Sequence, residues 1–305
     1  MGDNRHFRHP AFKTALEGFA FELPPGWEIT SYSLIDLLRT GRLSFASEDG
    51  PQGQFAWRTV KAVPDIPRII EEIHRRHLGE DAPPKIRFTR HGHDGRVVLA
   101  HTRYGERFYA SVFNLRKMFL CEWTFPKYTK ENADIVVPML DSFTDNAPDE
   151  KTGRMFFALF GLEVSIPQDY HLETVEPYPA AVTMIFENRK HYRIEAHRYG
   201  MADICMEGAG VLNFYHRCLY AKRYNITEKR AVAPYSGFET AEIEFRTRGR
   251  IDLDMLLGPW WKGFGCAFLK PQENRICAYE HIASRFLHER EKVKDIFPQK
   301  SSGRE

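Results

Sequence analysis

Two groups of histidines have spacings that could support chemistry. His74 and His77 lie three residues apart in a segment that reads as a helix, which would let both imidazoles bind one metal ion. No acidic ligand follows in a zinc pattern such as HExxH, so a solvated helix face is the simpler interpretation. His91 and His93 stand in His-Gly-His-Asp-Gly, whose glycines and aspartate suit a tight hairpin turn. The sequence therefore predicts no metal ligand and no cofactor.

The cysteines could supply a nucleophile. Cys121 and Cys266 each stand in a short apolar segment, and the two segments resemble each other. A catalytic thiol is usually unique and lies near a base that lowers its pKa, so a repeated apolar setting indicates core packing instead. The sequence contains no GxSxG elbow, P-loop or dinucleotide-binding glycine pattern. We therefore predict no catalytic residue, buried cysteine thiols and no disulfide.

A pair of tryptophans could mark a binding surface. Trp260 and Trp261 lie in a turn bounded by Gly258, Pro259 and Gly263. At least one ring in such a turn should be poorly buried, and aromatic residues are favoured at interface hot spots. The alternative is that both rings cover a hydrophobic face between two copies of a repeated domain.

Three arginines, Arg103, Arg107 and Arg116, surround predicted hairpins and form a second possible contact surface. A solvated sheet face explains them, and binding of an anionic partner is the alternative. These arginines and the two tryptophans are the residues that the sequence predicts for contact with a partner.

Composition narrows the class of protein. The chain has 305 residues, 43 basic and 41 acidic side chains and a formal net charge of +2, without the concentrated basic excess of a nucleic-acid binder. The first residues lack the apolar stretch of a secretory signal, and no apolar run approaches the ~20 residues of a membrane span. The five cysteines form no CxxC pair. We expect a cytoplasmic, reduced protein with no membrane span.

An internal repeat is the main organisational signal. Alternating apolar residues lead up to Pro24 and again up to Pro167, and each segment reads as a strand that ends in a turn. The same distance along the chain that separates these prolines also separates Trp27 from Tyr170 and Phe143 from Phe286. We predict two tandem copies of one domain, at residues 15–146 and 154–290, followed by a charged tail at 291–305.

Each repeat is expected to be an α+β domain, an antiparallel sheet flanked by helices in an α/β/α sandwich. Apolar spacing predicts a first helix over Ile66–Leu78, with Asp65 as its N-cap, and a matching helix over Val211–Tyr220. Short turns between the strands that follow indicate antiparallel pairing. A closing helix is predicted from about Thr129 in the first repeat. Its counterpart carries inward-facing residues Ile276, Tyr279, Ile282 and Phe286.

The motif Phe19-x-Phe21-x-Leu23-Pro24-x-Gly26-Trp27 resembles the first strand of the PsbP-like fold, which includes photosystem II extrinsic proteins, a Ran-binding import factor and DcrB-type bacterial proteins. The element order is similar over about residues 17 to 288, although the second repeat has Gln168-Asp169-Tyr170 in place of Pro-Gly-Trp. The resemblance implies a non-catalytic partner-binding module, and it carries no catalytic residue over to this chain.

Together these features predict a non-catalytic protein-interaction or scaffold protein whose partner is another protein. The alternative is an enzyme or a small-ligand-binding protein with its site in the cleft between the two repeats. Such a site would need convergent ionisable groups with perturbed pKa values in one deep cavity. Nucleic-acid binding through the arginines is a third, weaker alternative, since it requires a continuous basic stripe.

Overall fold

The structure is a computed structural model that describes part of the chain. The described residues are 13–35, 40–65, 68, 69, 72, 93–102, 105–114, 118–125, 138–178, 180–222, 224–235, 238–247, 261–283, 296 and 297. The chain divides into two compact units: unit 1 is Met1–Ala147 with Ala158–Gly161, and unit 2 is Pro148–Phe157 with Leu162–Glu305. Among the described residues, no helix has the length and apolar character required to cross a membrane.

Antiparallel strands dominate the described part of unit 1. They are β1 (Lys13–Leu16), β2 (Phe19–Glu22), β3 (Glu28–Ile35), β4 (Thr40–Ser47), β5 (Gly50–Thr59), β6 (His93–Thr102), β7 (Gly105–Asn114) and β8 (Phe119–Phe125). β1 and β2 form a hairpin, and the other six strands form a sheet in the order β3–β4–β5–β8–β7–β6. Residues 138–141 form a helical turn. The antiparallel pairing predicted for the strands after the first helix is confirmed for β6, β7 and β8.

An aromatic core holds unit 1 together. Phe55 and Trp57 alternate with more exposed residues along β5, so their rings lie on one face of the six-stranded sheet. Phe19 and Phe21 of β2 meet that face, and each ring centroid lies 5.0 Å from the Phe55 ring in an edge-to-face contact. The β1–β2 hairpin therefore covers the face of the sheet that carries the aromatic residues.

The turn predicted after Pro24 is present. The Trp27 N–H donates to the Pro24 carbonyl oxygen at 3.0 Å, and Gly26 has φ 81°, which an L side chain rarely adopts. The turn sets Trp27 back onto the core, where it is buried.

Unit 2 contains a larger antiparallel sheet. The strands from residue 154 onward are β9 (Arg154–Leu159), β10 (Leu162–Pro167), β11 (Tyr170–Tyr178), β12 (Ala181–Asn188), β13 (Arg193–Gly200), β14 (Asn225–Tyr235), β15 (Phe238–Thr247), β16 (Trp261–Lys270) and β17 (Arg275–Ala283). The last two residues of β9 belong to unit 1. The helices are α1 (Ala202–Met206) and α2 (Gly210–Ala221), and Pro271–Glu273 forms a 3₁₀ turn. Seven strands form one sheet, in the order β11–β12–β13–β17–β16–β15–β14.

The predicted helix over Val211–Tyr220 is confirmed as α2. Val211, Phe214, Tyr215 and Leu219 recur at helical spacing and are buried against residues of β15, β16 and β17. On the other face of the sheet, Phe157 of β9 packs against Phe186 of β12, and their ring centroids lie 4.8 Å apart.

Parts of the other predicted helices fall within the described residues. Arg68, Ile69 and Glu72 are helical, and the Arg68 N–H donates to the Asp65 carboxylate at 3.2 Å, as expected for an N-cap. The remainder of the helix predicted over 66–78 lies outside the described residues. Of the closing helix predicted from Thr129, the structure describes residues 138–141 as helical.

The closing helix predicted for the second repeat is wrong, because Arg275–Ala283 is strand β17. Eight of its nine residues are buried, since β17 lies between β13 and β16 and has both faces covered. A short segment that is buried in this way has no regular alternation that separates strand from helix. The α/β/α sandwich with flanking helices is wrong for the same reason: the described protein consists mainly of antiparallel sheets and is closer to a mostly-β fold.

The strand orders of the two units bear on the proposed duplication. In each sheet the first three strands follow chain order from one edge towards the middle. The last strand of that sheet in the chain then lies beside the third. Unit 2 has one more strand in its sheet than the described part of unit 1. Duplication therefore stays a prediction. Cys121 lies in β8, which pairs with β5, whereas Cys266 lies in β16, which does not pair with β13. The two cysteines therefore do not occupy the same place in the two strand orders.

Candidate functional site: a lysine-centred ion cluster in unit 2

Four charged or ionisable side chains meet on the α2 face of the large sheet. Glu195 and His197 alternate along β13 and so point to the same face. Glu280 of β17 is the direct cross-strand partner of Glu195. Lys222 follows the last residue of α2 and reaches the same place from the end of the helix. We call these four residues the ion cluster.

The ammonium of Lys222 lies at the centre of the ion cluster. Its Nζ atom is 2.7 and 2.8 Å from the two carboxylate oxygens of Glu280 and 3.0 Å from Oε2 of Glu195. His197 Nε2 lies 3.3 Å from the same nitrogen and 3.2 Å from Oε1 of Glu280. Both carboxylates therefore bind one ammonium group.

Further contacts close the ion cluster. Arg193 Nε lies 2.7 Å from Oε1 of Glu195. The Thr183 hydroxyl lies 2.9 Å from Nδ1 of His197, and the Lys222 ammonium lies 5.7 Å from the centre of the Tyr224 ring. The two carboxylates, of Glu195 and Glu280, thus lie against two basic groups, the Lys222 ammonium and the Arg193 guanidinium. Within the ion cluster, the Lys222 side chain is 28% exposed, whereas Glu195 and His197 are buried and Glu280 is fully buried.

Burial and charge act in opposite directions on the pKa values of the ion cluster. Burial alone would raise the pKa of Glu280, but the Lys222 ammonium and His197 outweigh it and hold that pKa below its ordinary value. Burial alone would lower the pKa of Lys222, and the carboxylates of Glu280 and Glu195 outweigh it and raise that pKa. Glu280 and Lys222 are thus both charged at neutral pH.

The donor set of the ion cluster resembles a metal site. One oxygen from each glutamate and one ring nitrogen of His197 lie within 4.8 Å of one another. These are ligand types that Zn²⁺ and Fe²⁺ accept. However, the Lys222 ammonium already occupies the point at which these atoms converge, so the protein supplies its own cation. A proton-transfer role is disfavoured as well, because Glu280 has no exposed surface through which to reach a substrate.

The sequence interpretation missed the ion cluster. A local signal was available, because polar Arg193, Glu195 and His197 alternate with apolar residues in β13, which places three polar groups on one face of a strand. Glu280 gives no such signal, since polar and apolar residues do not alternate regularly along Arg275–Ala283.

The structure places two of the five predicted contact residues. Trp261 opens β16, is half-buried and packs against the hydrophobic core beneath α2. Arg107 lies in β7, where its backbone pairs with Ala100. Trp260, Arg103 and Arg116 lie outside the described residues, as do His74, His77 and His91. His93 is the first residue of β6.

Because Trp261 packs against the core of unit 2, its truncation should affect folding. We expect Trp261→Ala to lower the free energy of unfolding by about 2 kcal/mol, less than for a fully buried tryptophan because part of the ring is already exposed. Thermal and urea unfolding of the purified protein measures this, with Tyr220→Ala as the control since Tyr220 is 74% exposed. Equal unfolding curves for the two variants would show that the ring of Trp261 does not contribute to the core.

The predicted state of the two cysteines is confirmed. Cys121 and Cys266 are buried free thiols, and all five cysteines are free. Burial raises the pKa of both Cys121 and Cys266, which removes the thiolate that a nucleophile requires.

A groove on unit 1 has the size of a small-ligand site, about 320 Å³. It lies on the face of the six-stranded sheet opposite the aromatic core, where Ser33, Arg42, Ala56 and Glu122 form one cross-strand row. Arg58 and Glu122 lie 3.8 Å apart, and their side chains are 55% and 36% exposed. The charged groups of this groove are therefore in water, whereas an active site excludes water from its reacting groups.

No family model matches this chain, and no curated protein matches it. Among solved structures, the chain is similar to the immunity protein TplEi of T6SS from Pseudomonas aeruginosa, in its apo form and in complex with "L" peptide. For the apo form the sequence identity is 13%, the match covers 90% of this chain and 88% of that one, and the TM-score is 0.37. For the complex the identity is 13%, the coverage 92% and 88%, and the TM-score 0.37. A likeness at this level carries no conclusion about the fold or function of this chain, and the PsbP-like resemblance is not confirmed.

Proposed function

We propose that this protein is a non-catalytic binder of a partner protein. The proposal is supported by the burial and charge neutralisation of the ion cluster. In the described part of the chain, the closest grouping of carboxylate and imidazole ligand atoms is neutralised by Lys222 and has almost no exposed surface. Groups in this state stabilise a fold and have no means of reaching a substrate.

The observation that carries the proposal is the apolar surface of the two helices of unit 2. Ile204 of α1 is 66% exposed, Tyr220 of α2 is 74% exposed, and Met201, immediately before α1, is 49% exposed. Single exposed apolar residues are ordinary in a soluble protein. Two large ones on neighbouring helices, with a third at the residue that precedes α1, are more typical of a surface that another protein covers.

The sequence adds candidate contacts to this proposal. Trp260, Trp261, Arg103, Arg107 and Arg116 stay the residues that the sequence predicts for contact with the partner. Because Trp261 packs against the core, its ring also contributes to the stability of unit 2, whether or not it contacts the partner.

Partner capture followed by reconstitution tests the proposed function. The full chain is immobilised and exposed to a lysate of its native host. Proteins enriched over a column that carries an unrelated protein are identified, purified and titrated calorimetrically against the full chain. We expect one of them to form a stoichiometric complex with a Kd of about 1 μM or tighter, within the range of specific protein complexes. If none binds as a pure protein, or if the bound molecule is chemically changed by the chain, the proposed function is wrong.

A further inference from the structure

Four side chains of β16 and β17 form an apolar patch on the face of the large sheet opposite α2. Phe268 pairs directly with Cys277, and Cys266 pairs directly with Tyr279, so the four side chains lie together on one face. All four residues are buried, which means that other residues cover this part of the sheet. We call these four residues the β16–β17 patch.

The cover of the β16–β17 patch comes from the end of the chain. The ring centroid of Phe297 lies 5.1 Å from that of Phe268 and 6.1 Å from that of Tyr279. Phe297 is buried, and Ile296 beside it is fully buried. Both residues belong to the stretch 291–305, which the sequence predicts to be a charged tail. Two apolar residues of this tail are therefore packed into unit 2.

The contact is a short apolar anchor within a polar segment. In the stretch 291–305, the only large apolar residues are Val293, Ile296 and Phe297. Elsewhere on this face of the sheet, Phe157 belongs to β9, which is held by neighbouring strands, whereas Ile296 and Phe297 lie outside the strands of the described chain. A few apolar anchors in an otherwise polar segment are a common way in which short peptides bind proteins.

The size of the contact indicates that it is reversible. Burial of one isoleucine and one phenylalanine side chain corresponds to a Kd of about 0.1–1 mM for a separate peptide. Twelve residues separate Ala283, the end of β17, from Ile296. A tether of this length gives an effective concentration of about 1 mM or more. The tail therefore covers the β16–β17 patch for most of the time, and a competing peptide in the same range of concentration replaces it.

We infer that the β16–β17 patch is a peptide-binding site that the C-terminal tail of the same chain occupies. The ligand that fits it is a peptide segment in which an aliphatic residue is followed directly by an aromatic one, as in Ile296-Phe297. The aromatic residue meets the rings of Phe268 and Tyr279, which supplies the preference for an aromatic side chain. This inference goes beyond the proposed function, and its test requires no partner from the host.

The two cysteines of the β16–β17 patch report whether the tail covers it. We expect Ile296→Ser/Phe297→Ser in the full chain to accelerate iodoacetamide labelling of Cys266 and Cys277 by at least about 10-fold, because the uncovered patch admits the reagent. Cys218 of α2, which packs against the core on the opposite face of the sheet, is the internal control. Its labelling rate should change by less than about 2-fold. Mass spectrometry of the digested protein measures each rate.

A synthetic peptide of residues 291–305 tests whether the patch accepts the segment as a separate ligand. The peptide should bind the double variant with a Kd of about 0.1–1 mM and restore the protection of Cys266 and Cys277. The wild type should bind it at least about 5-fold more weakly, because its own tail competes. The same peptide with Ile296→Ser and Phe297→Ser is the matched control and should bind neither protein. NMR titration of the peptide measures these affinities.

The results separate a peptide site from a loss of structure and from exchange between copies. Unchanged labelling of Cys266 and Cys277 in the double variant overturns the inference, as does a peptide that binds the double variant no better than the wild type. If Cys218 is labelled faster as well, the double variant has lost its fold, and the milder Phe297→Ala is measured in its place. Faster labelling of all three cysteines in Phe297→Ala would show that the tail is an integral part of the fold. Protection of the wild type that falls on dilution would show that the tail of a second copy covers the patch. Either of these last two results also overturns the inference.

Discussion

Lys222→Met is expected to lower the free energy of unfolding by about 3–5 kcal/mol. The substitution keeps the length of the side chain and removes its ammonium, which leaves Glu280 fully buried without the cation on which both of its oxygens depend. Glu195 keeps Arg193 as a partner, so Glu280 bears most of the loss. Urea unfolding at neutral pH measures the change, with Lys270→Met as the control. The Lys270–Glu273 pair is exposed and should contribute less than about 1 kcal/mol.

The pH dependence of this difference separates charge from packing. In the wild type the pKa of Glu280 is lowered from 4.5 to about 2, so its contribution is present above pH 4.5 and is lost as the pH falls towards 2. In Lys222→Met, burial dominates and raises the pKa of Glu280, so protonation stabilises the variant as the pH falls. The two proteins should therefore converge in stability at acidic pH. A difference that stays constant from neutral to acidic pH would show that the ammonium charge is not responsible.

Gly265→Ala is expected to lower the free energy of unfolding by about 2–3 kcal/mol through overpacking. A Cβ atom at this position in β16 would overlap the hydroxyl oxygen of Tyr215, which donates to the carbonyl oxygen of Tyr279 at 2.9 Å. β16 cannot move away, because it is paired with β15 on one side and β17 on the other. The added methyl group should therefore displace α2, which carries Tyr215.

Two comparisons make the Gly265 prediction specific. Gly200→Ala is the matched control, because the nearest atom to its Cβ would lie at an ordinary 3.6 Å, and it should change the stability by less than about 0.5 kcal/mol. In a Tyr215→Phe background the hydroxyl is absent, so Gly265→Ala should cost at least about 1 kcal/mol less than in the wild type. Additive effects of Gly265→Ala and Tyr215→Phe would contradict the proposed overlap.

Local patterns in the sequence were sufficient for several elements. The run from Val211 to Tyr220 has an apolar face at helical spacing and forms α2, and Asp65 caps the helical residues that follow it. Glycine and proline at Pro24–Trp27 specify a turn because a left-handed residue is needed there. In each of these elements, the residues that determine the local structure are close together in the sequence.

The remaining features depend on which strands are neighbours. β17 is buried on both faces, and no regular alternation within Arg275–Ala283 distinguishes such a strand from a buried helix. The ion cluster depends on the same pairing, since Glu280 meets Glu195 only when β17 lies beside β13. The α/β/α sandwich was wrong for this reason, and the ion cluster could be foreseen only as far as the polar alternation of β13.

The pairing of β13 with β17 also has a consequence for synthesis on the ribosome. Gly200 pairs with Arg275, and both helices and three strands of unit 2 lie between them in the chain. The centre of this sheet therefore cannot close until Arg275–Ala283 has been translated, whereas the β11–β12–β13 meander can form as soon as it emerges. Until then β13 is an open edge that carries Glu195 and His197 in water. A chain that stops before Arg275 would keep that edge, which is a template for aggregation.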